Sequence, residues 1–530
     1  SSSVWRARDP DGPRVTRTSR DIGQGLAPAR EARPIEKGER VHVVGAAGAG
    51  ASAAGLLAHH AGAIVTGCDP GGPSVYTPPL LAAGIELDWQ HSDAHVRRTP
   101  GSRPDRLAVT KALTAVEPDH PELAAARDLG IPLEAWQQLI ADAAATSGQA
   151  LVCVAGTHGK STTAGWLVDL LAGAGRDPSA FVGALLPATL SGGVPATARR
   201  GTGDHFVVEA DEYAGNFDPY SPAVAVLLNA EWDHPDVFAD ENAVLDAFEG
   251  WLRRAATAAH EPPLLVANIT DAGVARIVDR LAGWPGRFVT VSLDGPADVR
   301  AHLEPLAEGR SRLLVDRSDG SSAAFDIRLA GRHNAENALA VVGAATALGV
   351  GDEELRRSLA GFEGVGRRLE MKGDVGGVVV LDDYGHHPTA IARTLEAVRQ
   401  RFAGRRVWAV YEPLTYHRTA LMLDWFADAL AAADAVAVAD IWAGRDTDTT
   451  IVSSAALAAE VSRRGRPAES TGSVEATADH LAARVQAGDV VLVMGGGRSH
   501  VIASRLVGLL ERRQSLVRRE PLSRRAGSSD

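Results

Sequence analysis

The sequence predicts an α/β protein of three domains. These are a Rossmann-like N-terminal domain, a central P-loop ATPase-like domain with a mostly parallel sheet, and a C-terminal Rossmann-like α/β domain. Three observations point there. Apolar, β-branched runs alternate with amphipathic helical stretches along most of the chain. Its 530 residues are too many for one ordinary domain. Glycine-bearing turns follow the first strand of each of the first two blocks, around Gly45 to Gly50 and Gly156 to Gly159.

Residues 1–37 are rich in Arg, Pro and Gly without periodicity and are expected to be a disordered extension. The first domain is expected at 38–142. It opens with the strand "RVHVVG", a turn, the helix "ASAAGLLAHHAG" and the strand "AIVTGCD", a βαβ start. Gly45, Gly48 and Gly50, with Asp69 further on, mimic a dinucleotide fingerprint, but Ala47 occupies the second glycine's place. The turn therefore speaks more for a pyrophosphate than for NAD.

The central domain is expected at 143–329. The strand "ALVCVAG" runs into Gly156, Thr157, His158, Gly159, Lys160, Ser161 and Thr162, and a helix follows at once. The common phosphate-loop pattern would put its first glycine where Val154 stands. Even so, backbone N–H groups at a helix N-terminus make an anion site. Lys160 is placed to reach β- and γ-phosphates, and Ser161 or Thr162 to ligate Mg2+. Lysine is rare here (Lys37, Lys111, Lys160 and Lys372), which makes its choice in this loop pointed. Glu209 and Asp211 end the strand of "HFVVEADEY", where such folds place a metal-binding acid. Asn229, Asp233, His234 and Asp236 follow another buried strand, and His234 is a candidate ligand for a second metal.

The third domain is expected at 330–511, followed by a disordered basic tail at 512–530. Asn334 and Asn337 share one helix face near its start, fitting either capping or nucleotide contact. Arg367 and Arg368 suit a polyphosphate or a developing negative charge. Asp382, Asp383, His386 and His387 end a buried strand, where open α/β sheets bind ligands.

Composition narrows the class further. A net charge of −12 argues against a general nucleic-acid binder. The two cysteines, Cys68 and Cys153, have no metal or redox spacing and read as buried thiols of a reducing cytosol. No apolar run approaches a membrane span, and "SSSVWRARDPDGPRVTRTSR" lacks a signal-peptide core, so a cytoplasmic location is expected.

In order, "GTHGKSTT", "EADE", "NAEWDH", "GRHNAENALA", "FEGVGRRLE" and "DDYGHHP" resemble the Mur ligase family, ATP-dependent amide-forming enzymes of peptidoglycan precursor assembly. The likeness covers about residues 40–510, and that family's loop has its own shorter glycine spacing. It implies a UDP-sugar site in the first domain at Gly45, Gly48, Gly50 and Asp69. It implies ATP and Mg2+ as cofactors in the second, with a mobile third domain closing over both. By the same likeness the nucleotide is held by Gly156, Thr157, His158, Gly159, Lys160, Ser161, Thr162, Asn334, Asn337 and Arg368. Metal falls to Ser161, Thr162, Glu209 and His234, and catalysis to Lys160, Glu209, His234, Arg368, Asp383 and His386.

"VGAAGAGAS", "AVEPDHPELAAARDLGIP", "YEPLTYHRT" and "DIWAGR" resemble segments of the branch that joins L-alanine to the lactyl carboxylate of UDP-N-acetylmuramate, and that resemblance implies the same reaction here. "EADEYAGNFD" resembles instead the sister branch that recycles intact murein tripeptide. A monomer or weak homodimer is expected, with no nucleic-acid or membrane partner. The carbamylated lysine of some Mur ligases has no counterpart, because no lysine lies between Lys160 and Lys372. An NAD-dependent oxidoreductase and a non-catalytic ATP-binding protein remain as readings from other classes.

Overall fold

The computed structural model describes residues 22–519 apart from 118, 259–260, 294, 445 and 447. Three sheets succeed one another along the chain. The first is wholly parallel, ordered β3-β2-β1-β4-β5, from β1 (Arg40–Val44), β2 (Ile64–Cys68), β3 (Glu86–Asp88), β4 (Arg106–Val109) and β5 (Leu133–Ala135).

The second has ten strands: β6 (Ala150–Ala155), β7 (Ser179–Leu186), β8 (Ala196–Arg199), β9 (His205–Ala210), β10 (Val224–Leu227), β11 (Leu264–Asn268), β12 (Arg287–Leu293), β13 (Val299–Pro305), β14 (Ser311–Arg317) and β15 (Ser322–Ile327). Their order is β15-β14-β13-β12-β11-β10-β6-β9-β7-β8, parallel from β13 to β7 and antiparallel at both edges. The third comprises β16 (Glu370–Val375), β17 (Val378–Asp383), β18 (Val407–Glu412), β19 (Ala435–Ala439), β20 (Ala468–Gly472) and β21 (Val490–Gly495), ordered β16-β17-β21-β18-β19-β20 with only β16 antiparallel.

Central parallel strands covered on both faces must be apolar throughout. Accordingly Val152 to Ala155 of β6 and all of β10, β17 and β21 are buried. The edge strands β14 and β15 alternate instead, with Leu313, Val315, Phe325 and Ile327 inward and polar neighbours outward.

Three expected boundaries need correction. Residues 22–37 are not a loose extension. Arg30 pairs with Asp142 at 2.7 Å and Glu134 at 2.9 Å, Arg33 with Glu39 at 2.6 Å, and Ile22 and Ile35 are buried. Buried carboxylates need cationic partners, and this segment supplies them. Residues 1–21 lie outside the described residues. At the other end the helix Ser499–Arg519 runs through the start of the expected tail, whose residues 520–530 lie outside the described ones.

The central domain also extends past residue 330. Ala338, Leu339 and Val342 of the helix Arg332–Ala347, and Leu355 and Leu359 of the helix Asp352–Gly361, join the buried cluster of Val152 and Val154. The third domain therefore begins between Phe362 and β16. Among the described residues no helix is long and apolar enough to cross a membrane.

Candidate functional site

The carboxyl ends of β6, β9 and β10 open on one cleft, and the carboxyl end of β17 faces it from the third domain. The cleft encloses about 1450 Å³ and is lined by, among others, His158, Lys160, Glu209, His234, Arg368 and His386. Buried strands end there because their last backbone groups need partners that only loops and helix termini provide.

The loop after β6 curls through Gly156 (φ 141°) and Gly159 (φ 80°), both in the glycine-favouring region. A Cβ on Gly159 would also come within 2.5 Å of Asn337 Oδ1. The helix Lys160–Gly173 then starts without a side-chain cap, leaving its first N–H groups for a ligand. Asn229 staples the loop by accepting from His158 N (2.7 Å) and donating to His158 O (3.1 Å). Lys160 Nζ donates to Gly156 O (2.6 Å) and Glu212 Oε2 (2.9 Å) and lies 3.2 Å from Asp211. Burial acts to lower its pKa, but the charges of Glu212 and Asp211 win and hold the ammonium ionised.

Ser161 Oγ donates to Glu209 Oε1 (3.0 Å), and Glu209 Oε2 accepts from Gly183 N (2.6 Å). Arg368 reaches across from the third domain and donates to Ser161 Oγ at 2.9 Å. The structure thus brings together Lys160, Ser161, Glu209 and Arg368. Thr162 lines the cleft beside them, and it is Ser161 that pairs with the acid.

His234 sits in a left-handed turn (φ 52°), its Nδ1 accepting from Arg418 at 3.0 Å. Burial holds it neutral with a pKa lowered to about 4. Asp211, Glu212 and His234 place ligand atoms within 4.8 Å of one another. Asn334 Nδ2 donates to Ala330 O (2.7 Å) and Asn337 Nδ2 to Asn334 Oδ1 (3.3 Å), so this pair shapes the cleft floor beside Gly159.

Asp383 does not point a free carboxylate at the loop. It accepts from Leu369 N (2.8 Å) and Gly385 N (2.7 Å), clamping the turn that carries Arg368. His386 lines the cleft, with Nδ1 3.0 Å from Tyr384 O. Gly45, Gly48, Gly50 and Asp69 lie away from this cleft. Gly45 adopts φ 82°, Gly50 leaves room for Trp136, and Asp69 accepts from Ala47 N (3.0 Å) and Gly71 N (2.9 Å). Val75 and Tyr76 are what the first domain contributes to the cleft wall.

Sequence reasoning passed over Arg418, which bonds Asp233 at 2.6 Å, and Glu231, which accepts from Thr389 at 2.7 Å. Arg418 acts across the domain contact, and Glu231 joins His158 of its own domain to Thr389 of the third. Glu212 was discoverable, since it adjoins Asp211 in the same strand-end cluster.

Matches to known proteins follow the same division. Residues 40–147 match "Mur ligase family, catalytic domain", 154–345 "Mur ligase middle domain", and 367–497 "Mur ligase, glutamate ligase domain". The chain belongs to the Mur ligase family. Among curated Mur ligases, the UDP-N-acetylmuramate–L-alanine ligase of Frankia casuarinae is 36% identical over 451 residues, covering 78% of this chain and 85% of that protein. The protein of the same name from Mycobacterium avium is 36% identical over 495 residues, 89% of this chain and 95% of that one. Among solved Mur ligase structures, UDP-N-acetylmuramate–alanine ligase MurC of Thermotoga maritima superposes with a TM-score of 0.73 at 23% identity, over 90% of this chain and 99% of that one. A murein peptide ligase of Psychrobacter arcticus gives 0.67 at 25% identity, over 89% and 99%. Like its relatives, this Mur ligase is an enzyme of three α/β domains.

Proposed function

We propose that this Mur ligase joins L-alanine to the lactyl carboxylate of UDP-N-acetylmuramate at the expense of ATP, in the cytoplasm. The observation that carries the reading is Arg368 of the third domain meeting Ser161, which in turn bonds Glu209, beside Lys160, in a chain that matches L-alanine ligases over most of its length.

A carboxylate is a poor acyl donor because its leaving group is oxide. In the proposed reaction its oxygen attacks the γ-phosphorus, ADP departs, and an acyl phosphate results. The neutral amine then attacks the acyl carbon, the bond to phosphate breaks, and the surplus proton of the nitrogen passes to solvent, leaving the amide. The protein's part in such transfers is positioning and charge neutralisation. The N–H groups of the loop from Gly156 to Ser161 cradle the phosphates, and Lys160 turns from Glu212 toward the β- and γ-oxygens. Arg368 meets the charge that develops on the transferred group and on the tetrahedral oxyanion. Asp383 holds the Arg368 turn rigid, and Asn334 and Asn337 form the floor under the nucleotide. His386, kept neutral by burial, stands beside the reacting groups.

The oxygen donors of Ser161 and Glu209, with Asp211 and Glu212 nearby, suit a hard cation such as Mg2+. His234 would meet a second such ion through Nδ1 after Arg418 releases it. The bound ion would supply charge stabilisation to the phosphoryl oxygens.

A second reading rests on Tyr213. Its hydroxyl donates to Asp236 (3.2 Å) and its ring lies 4.7 Å from that of His234, in the segment that resembles the tripeptide-recycling branch. Phosphate release with UDP-N-acetylmuramate and ATP, comparing L-alanine with the murein tripeptide, separates the two. Strong release with L-alanine alone is expected. Release with the tripeptide only would move the assignment to the second reading.

A further inference from the structure

The first domain contains a buried set of thiol, imidazole and carboxylate groups that the ligase chemistry does not use. Cys68 ends β2, His42 lies in β1, His95 follows β3, and Glu122 comes from the helix Pro121–Asp128. All four are buried, and their ligand atoms lie within 4.8 Å of one another. Cys68 Sγ is 3.1 Å from Glu122 Oε2, His95 Nδ1 is 2.5 Å from Glu122 Oε1, and His42 Nε2 is 3.8 Å from the same oxygen. Donors on one tetrahedral ion with bonds of 2.0–2.3 Å stand about 3.5 Å apart, so small side-chain shifts would complete the shell.

Two further observations point to a ligand. His42 Nε2 is buried with no hydrogen-bond partner, while its Nδ1 is held by Thr66 Oγ1 at 2.8 Å. His95 directs its other nitrogen, Nε2, at the exposed carboxylate of Asp88, 3.1 Å away. Each imidazole is thus oriented from behind, the pattern by which metal-binding histidines are fixed.

We infer that His42, Cys68, His95 and Glu122 form a tetrahedral site for a borderline-soft divalent transition ion of the zinc class, cross-linking the strands behind the Gly45 turn. Thiolate and imidazole donors select such an ion over the Mg2+ expected in the cleft. The protons balance. The metal-free set holds a Cys68 thiol that donates to the Glu122 carboxylate. Binding displaces the thiol proton to solvent, His95 binds through Nδ1 with its N–H on Nε2 toward Asp88, and thiolate plus carboxylate neutralise the charge of the dication. His91, at the rim with Nδ1 3.3 Å from Cys68 Sγ, marks the route in. The cysteine spacing hid the set because its donors come from four separate elements.

The test titrates the chelator-stripped full-length chain with Co2+ and follows the thiolate-to-cobalt charge-transfer absorption, which oxygen donors in the cleft do not give. One equivalent is expected, with release of the thiol proton seen in calorimetry across buffers of different ionisation heat. Cys68→Ser should abolish the band and Cys153→Ser should keep it. Asp88→Asn, a surface change that spares folding, should weaken affinity by about 10-fold or more. No band in the wild-type chain, a band that survives Cys68→Ser, or undiminished affinity in Asp88→Asn overturns the inference.

Discussion

Lys160 is surrounded by carboxylates as well as by phosphate-binding N–H groups, so a nucleotide must draw it away from Glu212 and Asp211. A compact ammonium on a flexible stem is suited to that exchange, and a planar guanidinium is not. Lys160→Ala should cut phosphate release by about 10²–10³, the cost of one preorganised donor to developing charge, while UDP-sugar binding by calorimetry stays intact. Lys160→Arg should fail similarly, since a planar guanidinium does not replace the compact point charge of the ammonium among the phosphate oxygens. Near-normal turnover in either variant would remove Lys160 from the proposed role. This residue was legible in the sequence because strand, loop, cation and hydroxyl are contiguous there. Arg418 was not, because an arginine acquires this meaning only when folding brings Asp233 and His234 to it from another domain. Asp383 was legible as a strand-end acid, but its engagement by two backbone N–H groups follows from a turn no motif encodes.

Each element's identity follows from burial. The apolar runs of β6, β10, β17 and β21 were readable as strands because both their faces are covered, whereas the short polar edges β3, β16 and β20 carry no such run. The domain boundary was misplaced for a related reason. The helix Arg332–Ala347 follows the β14–β15 hairpin and resembles the opening of a new unit, yet its apolar face is the cover of the central sheet. A fragment ending at Gly366 should therefore melt cooperatively, since Phe362 and Val365 close that cluster. One ending at 329 should expose Val152, Val154 and their neighbours, and aggregate or bind a hydrophobic dye. Circular dichroism melts of the two fragments check this. A cooperative melt in the shorter one would restore the earlier boundary.

On the scale of the whole molecule, the third domain is held against the second by polar contacts. Arg418 bonds Asp233 and His234, His387 Nε2 donates to Trp232 O (3.2 Å), and Thr389 donates to Glu231. Asp233 and Arg418 are both nearly inaccessible to water. Removing one partner leaves the other charge buried, at a cost of about 3–5 kcal/mol. The structure relieves that cost most simply by opening the cleft and hydrating Asp233. Arg418→Ala should therefore raise the radius of gyration in small-angle scattering, with the three sheets intact by circular dichroism. A variant as compact as the wild type would show that the remaining contacts suffice for closure. Acid should act on the same contact. Burial lowers His387 to about 4, against about 6.5 when unfolded, and Nδ1 of that ring accepts from Thr389 N as a helix cap. Between these two values the unfolded chain binds a proton that the folded chain refuses, so stability falls as pH drops from 6.5 toward 4 and is flat above. Glu231, which burial alone would raise, is held well below the usual carboxylate range by His158, and its loss on protonation adds the same sign at lower pH. Thermal melts between pH 7.5 and 4.5 should show this slope, shallower in His387→Asn, whose side chain keeps a cap without a titrating proton. An equal slope in both proteins would place the acid sensitivity elsewhere.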